Sequence, residues 1–105
     1  METKIIGKHF TITDAIRDRI EDKVAGLPKF YSSLLDVEVI VESGKDGQQS
    51  SVEVIARGRH NHTFIGKENG QDMYACVDSA VKKVERQLVK VKEKERDNKQ
   101  HGEVQ

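Results

Sequence analysis

Residues 70–94 read GQDMYACVDSAVKKVERQLVKVKEK, and their periodicity decides the fold. Successive residues on an α-helix turn by about 100°. Met73, Val77, Ala80, Val81, Val84, Leu88 and Val91 then share one side at i, i+3, i+4 spacing. Lys83, Arg86, Lys90 and Lys94 fall within an arc of roughly 80° on another side, with Gln87 beside them. One rod thus carries a stripe to bury and a row of cations to present, which suits a polyanion. Asp72 is a fitting N-cap, because its carboxylate can accept amides of the first turn.

Working outward, residues 4–10 are apolar and β-branched enough for a first strand. Thr13 is the favoured cap of a first helix whose core stripe is Ile16, Ile20, Val24 and Leu27. Gly26 and Pro28 close that helix, the glycine loosening its last turn and the proline unable to continue it. Arg19 and Lys23 lie on one shoulder of the stripe and Arg17 on the other. Residues 35–42 form a second strand in which Val37, Val39 and Val41 alternate with Glu38, Ile40 and Glu42. Residues 43–47 are turn-rich and residues 48–51 extend the turn. A third strand, residues 51–57, alternates again through Val52, Val54 and Ala56. A hairpin loop at residues 58–61 leads to a fourth strand near residues 62–67, with Phe64 facing inward, and residues 69–71 form a loop. The order is β-α-β-β-β-α. It predicts an α+β fold of two layers: a four-stranded sheet with one polar face and both helices on the other. A second helix reaching Arg96 is about 37 Å long, and it overhangs strands of about 17–20 Å.

Composition alone hides the basic face. Lys and Arg number 18, Asp and Glu 18, and the pI is about 6.9. Residues 79–101, however, hold eight basic and four acidic side chains, a surplus of +4 balanced by −4 elsewhere. Exposed charges are screened beyond about 10 Å at ordinary salt, so the local surplus governs binding. A chain of 105 residues buries roughly 60–65% of its unfolded surface in one core. No apolar run approaches the ~18 residues that cross a bilayer, and the first residues lack a signal peptide's apolar region. The single cysteine, Cys76, excludes an internal disulfide. These features predict a cytoplasmic protein with no membrane partner.

Other residues read more simply. A charge row on a helix is most often a solvated face. Tyr74 reads as a core or boundary aromatic, and Cys76 as structural, among small residues. His60 and His62 have the spacing that points two imidazoles to one side of a strand. A metal needs three or four ligands, and His9 and His101 are distant in sequence, so no metal is expected. Cys76 with a histidine is a conceivable nucleophile pair. No glycine-rich phosphate loop, HExxH or GxSxG accompanies it, so no enzyme, cofactor or small-molecule substrate is expected.

Three stretches carry a resemblance: residues 12–17 (ITDAIR), 71–74 (QDMY) and 83–90 (KVERQLVK). With the order and length of the elements, they make residues 1–96 resemble the ribosome hibernation promoting factors and the related ribosome-associated inhibitor A. The resemblance implies a fold like a double-stranded RNA-binding domain. It also implies binding to the small ribosomal subunit and its ribosomal RNA, in the messenger and transfer RNA channel. Translation would be inhibited in slow growth or stationary phase, and inactive ribosomes stored as dimers. Carried over by position, Lys23, Lys83, Arg86 and Lys90 contact ribosomal RNA, with Lys82 and Lys94 added from the same surface. Residues 1–97 would be the ribosome-binding domain and 98–105 a short polar, disordered tail. Gly26 stands where relatives often have lysine, so the first helix contributes less charge. The chain also stops before the dimerisation domain of the long factors and before the longer tail of inhibitor A. It therefore looks like a short form, for which a separate ribosome modulation factor would be the partner in dimerisation. A generic double-stranded RNA-binding module is the competing reading.

Overall fold

Val37, Val39 and Val41 are fully buried, whereas their neighbours along the strand are not. That alternation gives β2 (Leu34–Ser43) one face for the core and one for solvent. Around it a computed structural model, describing residues 1–44 and 49–104 and side chains through residue 94, shows the expected element order. β1 is Glu2–Lys8, α1 Asp14–Val24, β3 Ser50–Gly58, β4 Thr63–Gly70 and α2 Met73–Val104. The sheet runs β1-β2-β3-β4. β1 pairs parallel to β2 because α1 carries the chain back between them, and the other two pairings are antiparallel.

One core lies between sheet and helices. Ile16, Ile20 and Val24 of α1 meet Val77, Val81, Val84 and Leu88 of α2 and the inward valines of β2 and β3 in a single cluster. Burying such a side chain is worth about 1.5–3 kcal/mol, so the two stripes suffice to fix both helices on one face. Phe64 is buried as expected. Thr13 caps α1, accepting the amide of Ile16 at 3.2 Å. Asp72 caps α2, accepting those of Tyr74 at 3.0 Å and Ala75 at 3.4 Å.

Several expectations shift. Leu27 is buried in line with the α1 stripe but sits in a separate 3-10 turn, Leu27–Lys29, since the α-helix stops two residues before Gly26. Asn69 and Gly70, expected in a loop, extend β4, because the β3 register continues to Ser50 opposite Gly70. Of the turn expected at residues 43–51, Ser43 belongs to β2 and Ser50 and Ser51 to β3, while residues 45–48 lie outside the described residues; Gly44 donates to the Gln49 carbonyl. His60 and Asn61 form the β3–β4 hairpin turn with positive φ (62° and 63°), the geometry that matches the strands' twist. His60 and His62 therefore do not share a strand face. Helix α2 continues past residue 98 to Val104: Gly102 weakens a helix by about 1 kcal/mol without ending it, and no proline follows.

The outer sheet face also departs from expectation. Its registers place Ile6 beside Ile40 and Ile55 beside Ile65, so a diagonal of isoleucines crosses an otherwise charged surface. Arg57 ties two of those charges, bonding Asp36 at 2.9 Å and Glu38 at 3.0 Å.

Candidate nucleic-acid interface

Gly66 determines how closely α2 approaches the sheet. A Cβ at this position would overlap the Ala80 carbonyl oxygen and lie 3.1 Å from both Lys83 Cβ and Val84 Cγ2. The helix therefore rests on the β4 backbone, and its flanking side chains reach the strand's free edge. Lys83 Nζ donates to the Lys67 carbonyl at 2.8 Å and Gln87 Nε2 to the Ile65 carbonyl at 2.7 Å. These bonds cover an edge that otherwise invites pairing with another chain.

Lys83 is thus held on the sheet side of the helix. Its ammonium also pairs with Glu68 at 3.3 Å. The Glu68 carboxyl is held below its ordinary range, first by the Ser79 hydroxyl, then by the Asn69 amide and Lys83. Such a carboxylate favours the folded state above its unfolded pKa, and the contribution disappears as pH falls through the folded one. Lys83→Gln is expected to weaken binding of a polyanion less than Arg86→Gln does, because Lys83 already has two partners. Parallel titrations with a duplex RNA would measure the ranking; a larger loss for Lys83→Gln would contradict it.

The remaining cations divide into a row and a neighbour. Lys82, Arg86 and Lys90 are exposed on the side of α2 opposite its buried stripe, and all three line one shallow cavity with Phe30, Glu85 and Val89. Lys94 is exposed one turn further along. Lys23 of α1 joins Lys82 in an adjoining recess with Asp78, Val81 and Glu85. The structure therefore brings together Lys23, Lys82, Arg86 and Lys90, extends the row to Lys94, and turns the Lys83 ammonium away from it toward β4.

Asp78 tempers the α1 end of this surface. Arg19 binds it through two nitrogens, at 2.9 and 3.1 Å, and Lys23 lies 4.0 Å away. Arg19 also sits 5.5 Å above the Tyr74 ring, so this half-exposed tyrosine is a boundary aromatic braced by a cation. Asp78 thus offsets part of the charge that Arg19 and Lys23 bring to this shoulder. Cys76 is buried, and burial first, then Glu68 and Asp72, pushes its thiol up, which disfavours a nucleophilic thiolate. Among the described residues no group of three or more His, Cys, Asp or Glu could hold a metal ion, and no helix is long and apolar enough to cross a membrane.

The family model described as Sigma 54 modulation protein / S30EA ribosomal protein matches residues 3–96. The chain belongs to this family. It is 33% identical over 102 residues to the ribosome hibernation promoting factor of Azotobacter vinelandii, covering 90% of this chain and 86% of that one. With the ribosome hibernation promoting factor of Escherichia coli K12 the identity is 33% over 94 residues, covering 90% and 96%. The crystal structure of the Thermus thermophilus Protein Y N-terminal domain superposes with a TM-score of 0.78 at 30% identity, over 87% of this chain and 99% of that one. A ribosomal subunit interface protein from Coxiella burnetii gives a TM-score of 0.79 at 24% identity over 88% and 98%, a likeness of fold alone. The curated relatives are named as hibernation factors, not as enzymes.

Sequence reasoning missed Phe30, Val89 and Asp78 as parts of this surface. Phe30 follows the stripe of the first helix and could have been flagged as an apolar residue without a core position. Nothing local pairs it with Val89, or Asp78 with Arg19, 59 residues away.

Proposed function

We propose that this chain is a ribosome hibernation factor. It binds the small ribosomal subunit in the channel that messenger and transfer RNA use, inhibits translation in slow growth or stationary phase, and favours storage of inactive ribosomes as dimers. The observation carrying this reading is the row Lys82, Arg86 and Lys90, exposed on the face of α2 opposite its buried stripe, in a chain of this family. Lys23, Lys83 and Lys94 extend the contact to ribosomal RNA. Residues 1–97 form the binding domain, the cell compartment is the cytoplasm, and a separate ribosome modulation factor is the partner that completes dimerisation.

The physical mechanism needs no bond made or broken. Each phosphate met by a lysine or arginine releases condensed counterions, so binding weakens steeply as salt rises. Phosphate contacts fix register without reading bases, and A-form RNA is recognised chiefly by shape. A folded domain lodged in the channel then excludes messenger and transfer RNA sterically.

Affinity for isolated small subunits, compared with affinity for a free RNA duplex at the same salt, tests the reading. A hibernation factor is expected to prefer the subunit by at least about 100-fold, the margin of about 2.7 kcal/mol that shape-matched contacts add. Equal affinities would instead mark a generic double-stranded RNA-binding module. Sedimentation of a stationary-phase lysate adds the second half: the protein should travel with paired ribosomes, and its absence from that peak would contradict the storage role.

A further inference from the structure

The cavity beneath the cation row has a floor the phosphate reading does not use. It is open and shallow, with a volume of about 340 Å³. Phe30, just after the Leu27–Lys29 turn, and Val89 of α2 supply its apolar lining, and both are half-buried. Phe30 rests on the core while remaining part of the cavity surface. Lys82, Arg86 and Lys90 line its α2 side in a row, and Glu85 is the only acidic residue of the described lining.

We propose that this cavity receives one unstacked nucleobase of the small-subunit RNA, with Phe30 as its stacking surface and Lys82, Arg86 and Lys90 on the phosphates to either side. Charge complementarity selects this occupant. A nucleotide is a flat apolar face flanked by anions, the complement of an aromatic surface beside a row of cations. Sequence-tolerant binding of splayed bases uses aromatic rings in this way, because every base has a π-face. Glu85 disfavours a phosphate in the floor and favours a base bearing an exocyclic amino group, which can donate to the carboxylate. The inference rests on the ribosome-binding reading and adds to it a contact that is not electrostatic.

That difference gives the test. Binding to purified small subunits is measured over a series of salt concentrations for the wild type, Phe30→Leu and Phe30→Trp. Leucine preserves apolar bulk against the core and removes the ring. Phe30→Leu is expected to bind about 5- to 100-fold more weakly at every salt, the range for losing one stacked base. Its dependence on salt should parallel the wild type's, because no cation has been removed. Phe30→Trp should bind at least as well as the wild type, and its indole fluorescence should be quenched by the subunit. Wild-type affinity in Phe30→Leu, or a flattened salt slope in that variant, would overturn the proposal. So would a blue shift without quenching in Phe30→Trp, which marks an apolar protein contact instead. If Phe30→Leu fails to fold, the Phe30→Trp fluorescence decides alone. Failure of the wild type itself to bind subunits would refute the hibernation reading and this inference with it, whereas loss confined to Phe30→Leu leaves the hibernation reading standing.

Discussion

Replacing Lys82, Arg86 and Lys90 together by glutamine is expected to weaken binding to small ribosomal subunits about 150- to 2,000-fold at moderate salt, taking about 1–1.5 kcal/mol for each exposed charge-assisted contact. The logarithmic salt slope should fall by about 2–3 units, one increment of roughly 0.7–0.9 per phosphate no longer neutralised. Stability should hardly change. All three side chains are exposed, form no ion pair among the described residues, and are replaced by a good helix former. Circular dichroism and thermal melting establish that the variant is folded; titration at several salt concentrations gives both affinity and slope. A folded variant with unchanged affinity would remove α2 from the interface.

Gly66→Ala is expected to destabilise the domain strongly. The new Cβ would occupy the Ala80 carbonyl oxygen's position and crowd Lys83 Cβ and Val84 Cγ2, both at 3.1 Å. Two of these three are not the far ends of flexible chains, so the helix itself must move. Overpacking of a rigid core costs about 1–3 kcal/mol and sometimes more, and the upper end applies where backbone meets backbone. Domains of this size have only about 5–15 kcal/mol in total. A loss near 3 kcal/mol lowers the melting temperature by about 12–24 °C. Lifting α2 would also break the Lys83 and Gln87 bonds to β4, so edge protection and stability fail together. A melting temperature within a few degrees of the wild type would show that the helix does not rest on the strand as described.

The two predictions concern opposite sides of one helix, and only one side was legible in sequence. Met73 to Leu88 declared its buried stripe through spacing alone, and Thr13 and Asp72 declared their caps, because helical periodicity and capping depend on near neighbours. The cation row followed from the same geometry. What it did not reveal is that Lys83, counted with Arg86 and Lys90, bends to the Lys67 carbonyl and Glu68. That requires knowing which strand lies under the helix. Gly66 was the available signal, since a glycine within a strand pattern often marks a close backbone approach. The isoleucines of the outer face were equally hidden. Ile40 alternates correctly with Val39 and Val41, but its pairing with Ile6 depends on the parallel register set by α1. The pairing of Phe30 with Val89 lies beyond any local pattern, being fixed only when α1, the short turn after it and α2 pack on one sheet.

The most direct test is an electron cryomicroscopy reconstruction of this chain bound to small ribosomal subunits. The account predicts density for the β-α-β-β-β-α domain within the messenger and transfer RNA channel. Lys82, Arg86 and Lys90 should lie against ribosomal RNA phosphates, with the isoleucine-bearing sheet face turned away. Density outside that channel, or a domain held there with α2 facing solvent, would contradict it.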